Sequence, residues 1–340
     1  MKFLGLMATL GISISLFGCA SNKNDTGPMS IAEQGSFFVG GKNIKSNSVS
    51  NLPIYSSSGT IAVDQVYVHY QKPTDAKNTS VVLIHGCCLT GKTWESTPDG
   101  RMGWDELFLR NGFSTYVVDQ ASRGRSAVDT STVIAAKGGR LPPKQLPMVN
   151  NVSQEDAWEV FRFGPKYPEV YPGMQFPLDA QAEFWKQMVP DWIRALPTPT
   201  PTVPALSELA QKINGAVLVS HSQSGIFPFQ TAKLNPAGIR AIVSIEPGAC
   251  PAADEDLSYL KGLPVLVLWG DNVNKSPRWA PRLKACKEFV AAANKAGIKA
   301  QNVMLSDLGM PGASHMLMQD KNSIQIGKWL IGWINQNVKS

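Results

Sequence analysis

Cysteine and histidine are scarce in this chain of 340 residues, which carries five of the first and four of the second. No two cysteines are spaced as CxxC, and no His/Cys cluster has zinc-ligand spacing, so a metal centre finds no support in the sequence. Charge of one sign is also thin. Lys and Arg total 32 against 26 Asp and Glu, a formal +6, with no basic run that would suit a nucleic-acid partner. Beyond the N-terminus there is no apolar stretch long enough for a transmembrane helix, and no internal repeat. With 43% hydrophobic and 17% charged residues the chain is not a disordered one, and it can bury a sizeable core.

The first residues are of a different kind. Lys2 precedes an apolar run over 3–17 that ends in Leu16-Phe17-Gly18-Cys19. This reads as an export segment over 1–19. Its end resembles a bacterial lipobox, in which the cysteine is lipidated, here Cys19. Cleavage after Ala20 is the rival reading. Both take the mature chain out of the cytoplasm, as a lipoprotein of the cell envelope (outer membrane or periplasm) or as a secreted protein, with any membrane contact made through the N-terminal lipid. Residues 20–34 are small and polar and read as a flexible tether, leaving 35–340 as the globular domain. Cys87, Cys88, Cys250 and Cys286 remain, an even number in an oxidising compartment.

Residues 60–70 alternate apolar and polar side chains, with a slip near Asp64, as early antiparallel strands do. The pattern then changes to short continuous apolar runs at 81–84, 115–118, 216–219, 241–245 and 265–269, with a weaker one at 302–305. Such runs suit strands buried on both faces. Amphipathic segments of helical length lie at 225–234, 279–296 and 323–335. The alternation predicts an α/β fold with a mostly parallel central sheet covered by helices on both faces. Residues 127–206 interrupt it. They are rich in aromatics (Trp158, Phe161, Phe163, Phe176, Phe184, Trp185, Trp192) and in prolines, and are too long for a structureless loop. We read them as an inserted helical cap whose aromatics build its own core or wall a substrate pocket. The cap closes with the stiff connector Pro197-Thr198-Pro199-Thr200-Pro201.

Ser220-His221-Ser222-Gln223-Ser224-Gly225 lies between a buried strand and a helix. That is the setting of a nucleophile elbow, where a serine on a sharp turn needs small residues two positions away on each side. Serines replace both usual glycines, and among the three only Ser222 has small neighbours at that spacing. A helix N-terminus follows and directs free N–H groups at the same point. The N–H of Gln223 is one oxyanion donor by this logic, and by position the other is that of Cys87, in the loop after strand 81–84. Two such donors contribute roughly 3 kcal/mol each. His85 belongs to that loop, His221 adjoins the nucleophile and points away from it, and His69 sits in an early strand. His315 remains as the base, after the last strand candidate and before the last helix. Two loops offer the acid: Asp271 after strand 265–269, and Glu246 after strand 241–245. The later loop lacks an acid at Asn274, where many such sequences keep one. Glu246 ends a buried strand, where a carboxylate is costly unless paired. Geometry argues against a bridge between Cys87 and Cys88, because adjacent Cα atoms are about 3.8 Å apart, below the roughly 4.4–6.8 Å usual for disulfides.

These motifs, with Leu89-Thr90-Gly91, Trp94, Pro98-Asp99-Gly100-Arg101-Met102-Gly103-Trp104-Asp105, Arg278-Trp279-Ala280-Pro281 and Ser314-His315-Met316, resemble an atypical bacterial esterase family of the α/β-hydrolase superfamily. The resemblance runs from about Ser80 to the C-terminus. It implies a triad of Ser222, Glu246 and His315, a Cys87–Cys88 disulfide in the oxyanion loop and a Cys250–Cys286 disulfide. The expected activity is hydrolysis of a small-molecule carboxylic ester through a serine acyl-enzyme, with no metal or organic cofactor. Lactone, amide or polyester cleavage on the same triad is one alternative. A non-catalytic surface lipoprotein with a binding role is another. The sequence leaves the oligomeric state open, a dimer included.

Overall fold

A computed structural model describes residues 27–191 and 200–338. The export segment with Cys19 therefore lies outside the described residues, as do Trp192 and the connector's Pro197, Thr198 and Pro199. Eight strands form one sheet in the order β1-β2-β4-β3-β5-β6-β7-β8. β1 (Ile31–Ser46) and β2 (Gly59–Pro73) pair antiparallel, and β2 meets β4 (Ser114–Asp119) antiparallel. β3 (Ser80–Ile84) pairs in parallel with β4 on one side and with β5 (Ala216–His221) on the other. β6 (Ile239–Ile245), β7 (Val265–Trp269) and β8 (Ala300–Met304) continue the parallel sheet outward.

The apolar runs became the central strands because both of their faces are covered. Val82, Ile84, Leu218 and Ile242 enter one cluster with α5 (Thr202–Ile213), α6 (Phe227–Leu234) and α7 (Ala280–Lys295). Val81, Leu83, Val217 and Val219 face the other way, toward α1 (Trp104–Arg110) and α8 (Ser323–Asn337). Alternate residues of one strand thus supply two cores, as the two-residue period of a strand requires.

Two sequence boundaries shift. The expected tether ends early, because Ile31–Gln34 already belong to β1, which pairs with β2 through to Ser46. β1 is an edge strand with polar and glycine positions and a single fully buried hydrophobic, Val39, so it carries no apolar run. The slip at Asp64 is a kink in β2: its φ is 65°, and Lys42 of β1 pairs with its carboxylate at 2.9 Å. The cap ends before α5. That helix packs on β1, β2 and α6 and belongs to the sheet's helical layer. The cap proper holds α2 (Ser131–Lys137), α3 (Gln154–Val160) and α4 (Gln181–Trp185). Phe163, Phe176 and Phe184 form its aromatic centre, with the first two rings stacked at 4.1 Å. Among the described residues no helix is long and apolar enough to cross a membrane.

Candidate active site

β5 runs into the sheet's C-terminal edge and stops at His221. The chain turns there, and Ser222 takes φ 58°, a left-handed conformation that costs a non-glycine residue about 1–3 kcal/mol. A 3-10 turn, Ser222–Ile226, leads into α6. The flanking serines are occupied elsewhere. Ser220 Oγ lies 3.4 Å from the Val243 carbonyl, and Ser224 Oγ lies 3.0 Å from the His221 carbonyl in the turn and 3.2 Å from the Ile84 carbonyl of β3. Space explains the two true glycines nearby. A Cβ on Gly225 would come within 2.5 Å of Pro247, and one on Gly86 within 2.9 Å of the Ser222 Cβ. Of the three serines only Ser222 reaches His315, with Oγ 2.9 Å from Nε2.

His315 is fully buried and held on several sides. Its Nδ1 lies 2.9 Å from Glu246 Oε2, and its backbone N–H donates to the Phe161 carbonyl at 3.0 Å. The indole of Trp279 packs 4.2 Å from the imidazole, with Phe161 stacked at 5.9 Å. His221 donates from Nε2 to the His315 carbonyl at 2.9 Å, and Asp320 accepts from the N–H and hydroxyl of Ser314 at 2.7 Å each. Burial pushes His315 down to about 4, and the Glu246 carboxylate only partly opposes this.

Glu246 follows β6 with φ 51° and is itself fully buried. Burial alone would raise its carboxyl, but the guanidinium of Arg162 and the ring of His315 outweigh that and hold it at about 2. Asp271, the other acid position, does not touch His315. Its carboxylate accepts from the N–H groups of Asn272 at 2.7 Å and Gly312 at 3.0 Å, and its own N–H donates to the Ala313 carbonyl at 2.7 Å. It pins the loop that carries His315. His69 sits within β2, opposite Ser36 of β1 and Val117 of β4.

Sequence reasoning missed Arg162. It lies in the cap after α3, fully buried, with φ 55°. Its two terminal nitrogens donate to the two Glu246 oxygens at 2.6 Å each. The only sequence signal is a charged residue set between two core phenylalanines, Phe161 and Phe163.

No family model matches the chain. A solved structure described as the atomic-resolution structure of a novel bacterial esterase superposes with a TM-score of 0.91 at 56% sequence identity, covering 92% of this chain and 98% of that one. The chain belongs to the bacterial esterases of the α/β-hydrolase superfamily. The esterase is also 23% identical, over 392 aligned positions, to a fungal protein named "Probable secreted lipase phiG" from Fungal sp. (strain ATCC 74256). That alignment takes in 99% of this chain and all of the fungal one.

The esterase's remaining cysteines divide into two kinds. Cys250, just beyond β6, is bonded to Cys286 on α7. Cys87 and Cys88 are free thiols, which departs from the bridge implied by the resemblance. The physical reason is the short Cα spacing of neighbours across a trans peptide. The two sulfurs nevertheless lie within 4.8 Å of each other. A hydrogen bond with Cys88 pulls the Cys87 thiol down, and the same bond, followed by burial, pushes Cys88 up. With Asp191 they form the one group among the described residues that has metal-ligand chemistry, and Asp191 is already ion-paired with the buried Arg123. A cavity of about 460 Å³ opens here, lined by Cys87, Cys88, Val152, Val160, Phe161 and Arg278 among others.

Proposed function

We propose that the esterase cleaves small carboxylic esters through a covalent Ser222 acyl-enzyme. One observation carries the reading: an unbroken chain of 2.9 Å contacts from Ser222 Oγ through the two ring nitrogens of His315 to Glu246. His315 Nδ1–H faces the carboxylate, so Nε2 is free to accept the serine proton as Oγ attacks the ester carbonyl. Glu246 holds the imidazole in that tautomer and stabilises its cation. His315 then protonates the leaving alcohol and activates the water that releases the acid. Gln223 follows Ser222 in the first turn, where an N–H has no acceptor within the helix. Cys87 follows Gly86, which abuts Ser222. Both positions suit donors to the oxyanion. The cavity beside Cys87 and Phe161 is the natural place for the acyl or alcohol group.

Export is a further part of the proposal. The N-terminal apolar run and the secreted naming of the fungal relative favour export, with lipidation at Cys19 as its envelope-bound form. A fluorophosphonate probe tests the central reading. The wild type should gain one adduct by intact mass and Ser222→Ala none; an adduct of equal size on the variant would place the nucleophile elsewhere.

A further inference from the structure

Within the triad reading above, Glu246 has more partners than an acid needs to orient one histidine. Oε1 accepts from Arg162 and from the N–H of Gly270, while Oε2 faces both Arg162, at 2.6 Å, and His315 Nδ1, at 2.9 Å. Arg162 is itself fixed in plane, because its Nε donates to the Asp271 carbonyl at 3.0 Å. The preceding residue, Phe161, receives the backbone N–H of His315. Two consecutive cap residues thus grip the acid and the base, which come from different loops of the sheet.

We propose that Arg162 is a positioning residue for ester hydrolysis, whose planar fork holds the Glu246 carboxylate in the rotation that presents Oε2 to His315. A guanidinium matches a carboxylate in two parallel bonds and stays charged throughout the working range of pH. With one carboxylate oxygen occupied by Arg162 and Gly270, only Oε2 remains for the imidazole. The cap is then part of the catalytic assembly as well as a pocket wall, since unfolding it would release the acid.

The same contact sets the charge at the site. Arg162 and ionised Glu246 cancel, so protonating His315 leaves an uncompensated positive charge among fully buried side chains. NH1 of Arg162 lies only 3.3 Å from His315 Nδ1. The other charged or titratable groups facing this cluster are His221, ring to ring at 4.7 Å from His315, Arg282 on α7, and Asp320 and Asp271 in the flanking loops. Arg282 also opposes the imidazolium, and His221 is buried and held well below its ordinary range. Removing the Arg162 charge gives the whole of Glu246 to His315, so the imidazole should become easier to protonate.

The test compares wild type, Arg162→Met and Arg162→Lys in kcat and KM for a p-nitrophenyl ester across pH. For Arg162→Met, kcat should fall about tenfold or more with KM little changed, and the acid limb of kcat/KM should move up by roughly one unit or more. Arg162→Lys keeps the charge and loses the fork, so kcat falls while the acid limb stays near that of the wild type. A merely structural arginine would lower the yield of folded protein without moving the limb. Wild-type kcat in folded Arg162→Lys overturns the proposal even where Arg162→Met fails to fold, and so does an unmoved limb in folded Arg162→Met. Fluorophosphonate labelling of the wild type separates the two readings: an unlabelled Ser222 removes the triad itself, whereas a labelled wild type with unaffected Arg162 variants removes only the role given to Arg162.

Discussion

The backbone N–H of Gly270, at the end of β7, donates to the carboxylate of Glu246, at the end of β6. The two strands are parallel neighbours, with Ile245 opposite Leu268, so their C-terminal ends converge on one point. An acid after either strand could therefore reach the histidine. In the proposed triad the earlier strand supplies it, and the later one contributes a donor and Asp271, which anchors the histidine loop.

This division of labour predicts unequal losses. Glu246→Gln should lower kcat by about 10³–10⁴-fold, in the range known for a triad acid replaced by its amide. Asp271→Asn keeps an acceptor for Gly312 and should cost less than about tenfold, on the scale of one hydrogen bond. Steady-state kinetics on a p-nitrophenyl ester checks both, and the reverse ranking would move the acid to the later loop.

The environment of His315 predicts a low acid limit. Burial places its ring at about 4, well below the ordinary 6.5. A base works only when neutral, so activity persists as pH falls through 6 and 5 and is lost as protonation sets in near 4. Initial rates of kcat/KM in overlapping buffers check this; a limb near 6.5 would mean that the ring is solvated.

The Cys250–Cys286 bond ties the loop after β6 to α7, across a sequence separation of 36 residues. A closed loop of that size stabilises by about 2–4 kcal/mol. The double Cys250→Ser, Cys286→Ser variant should therefore unfold roughly 3–6 °C lower and keep most of its kcat at 25 °C. Calorimetry and kinetics on one sample measure both. An unchanged Tm would show that the bond adds nothing to the fold.

The central strands were legible because burial on both faces imposes continuous apolar runs, as at 81–84 and 265–269. β1 was not, because an edge strand needs no such run, and Val39 alone among its hydrophobic residues is fully buried. Ser222 stood out through the small residues that a tight turn demands, and His315 through the shortage of histidines. Spacing could not choose between Glu246 and Asp271, since parallel neighbours deliver both to the same place, and the family resemblance made that choice. Arg162 was hidden for a different reason. Its partner is 84 residues away in sequence, and a charged residue among cap aromatics has no local pattern that announces a buried ion pair.

The most direct test of the account is hydrolysis of p-nitrophenyl acetate by the purified mature protein beside Ser222→Ala. The account predicts saturable turnover by the wild type and a loss of about 10³-fold or more in the variant. A variant that retains wild-type turnover would contradict it, and the catalytic centre would then lie away from the Ser222–His315–Glu246 line.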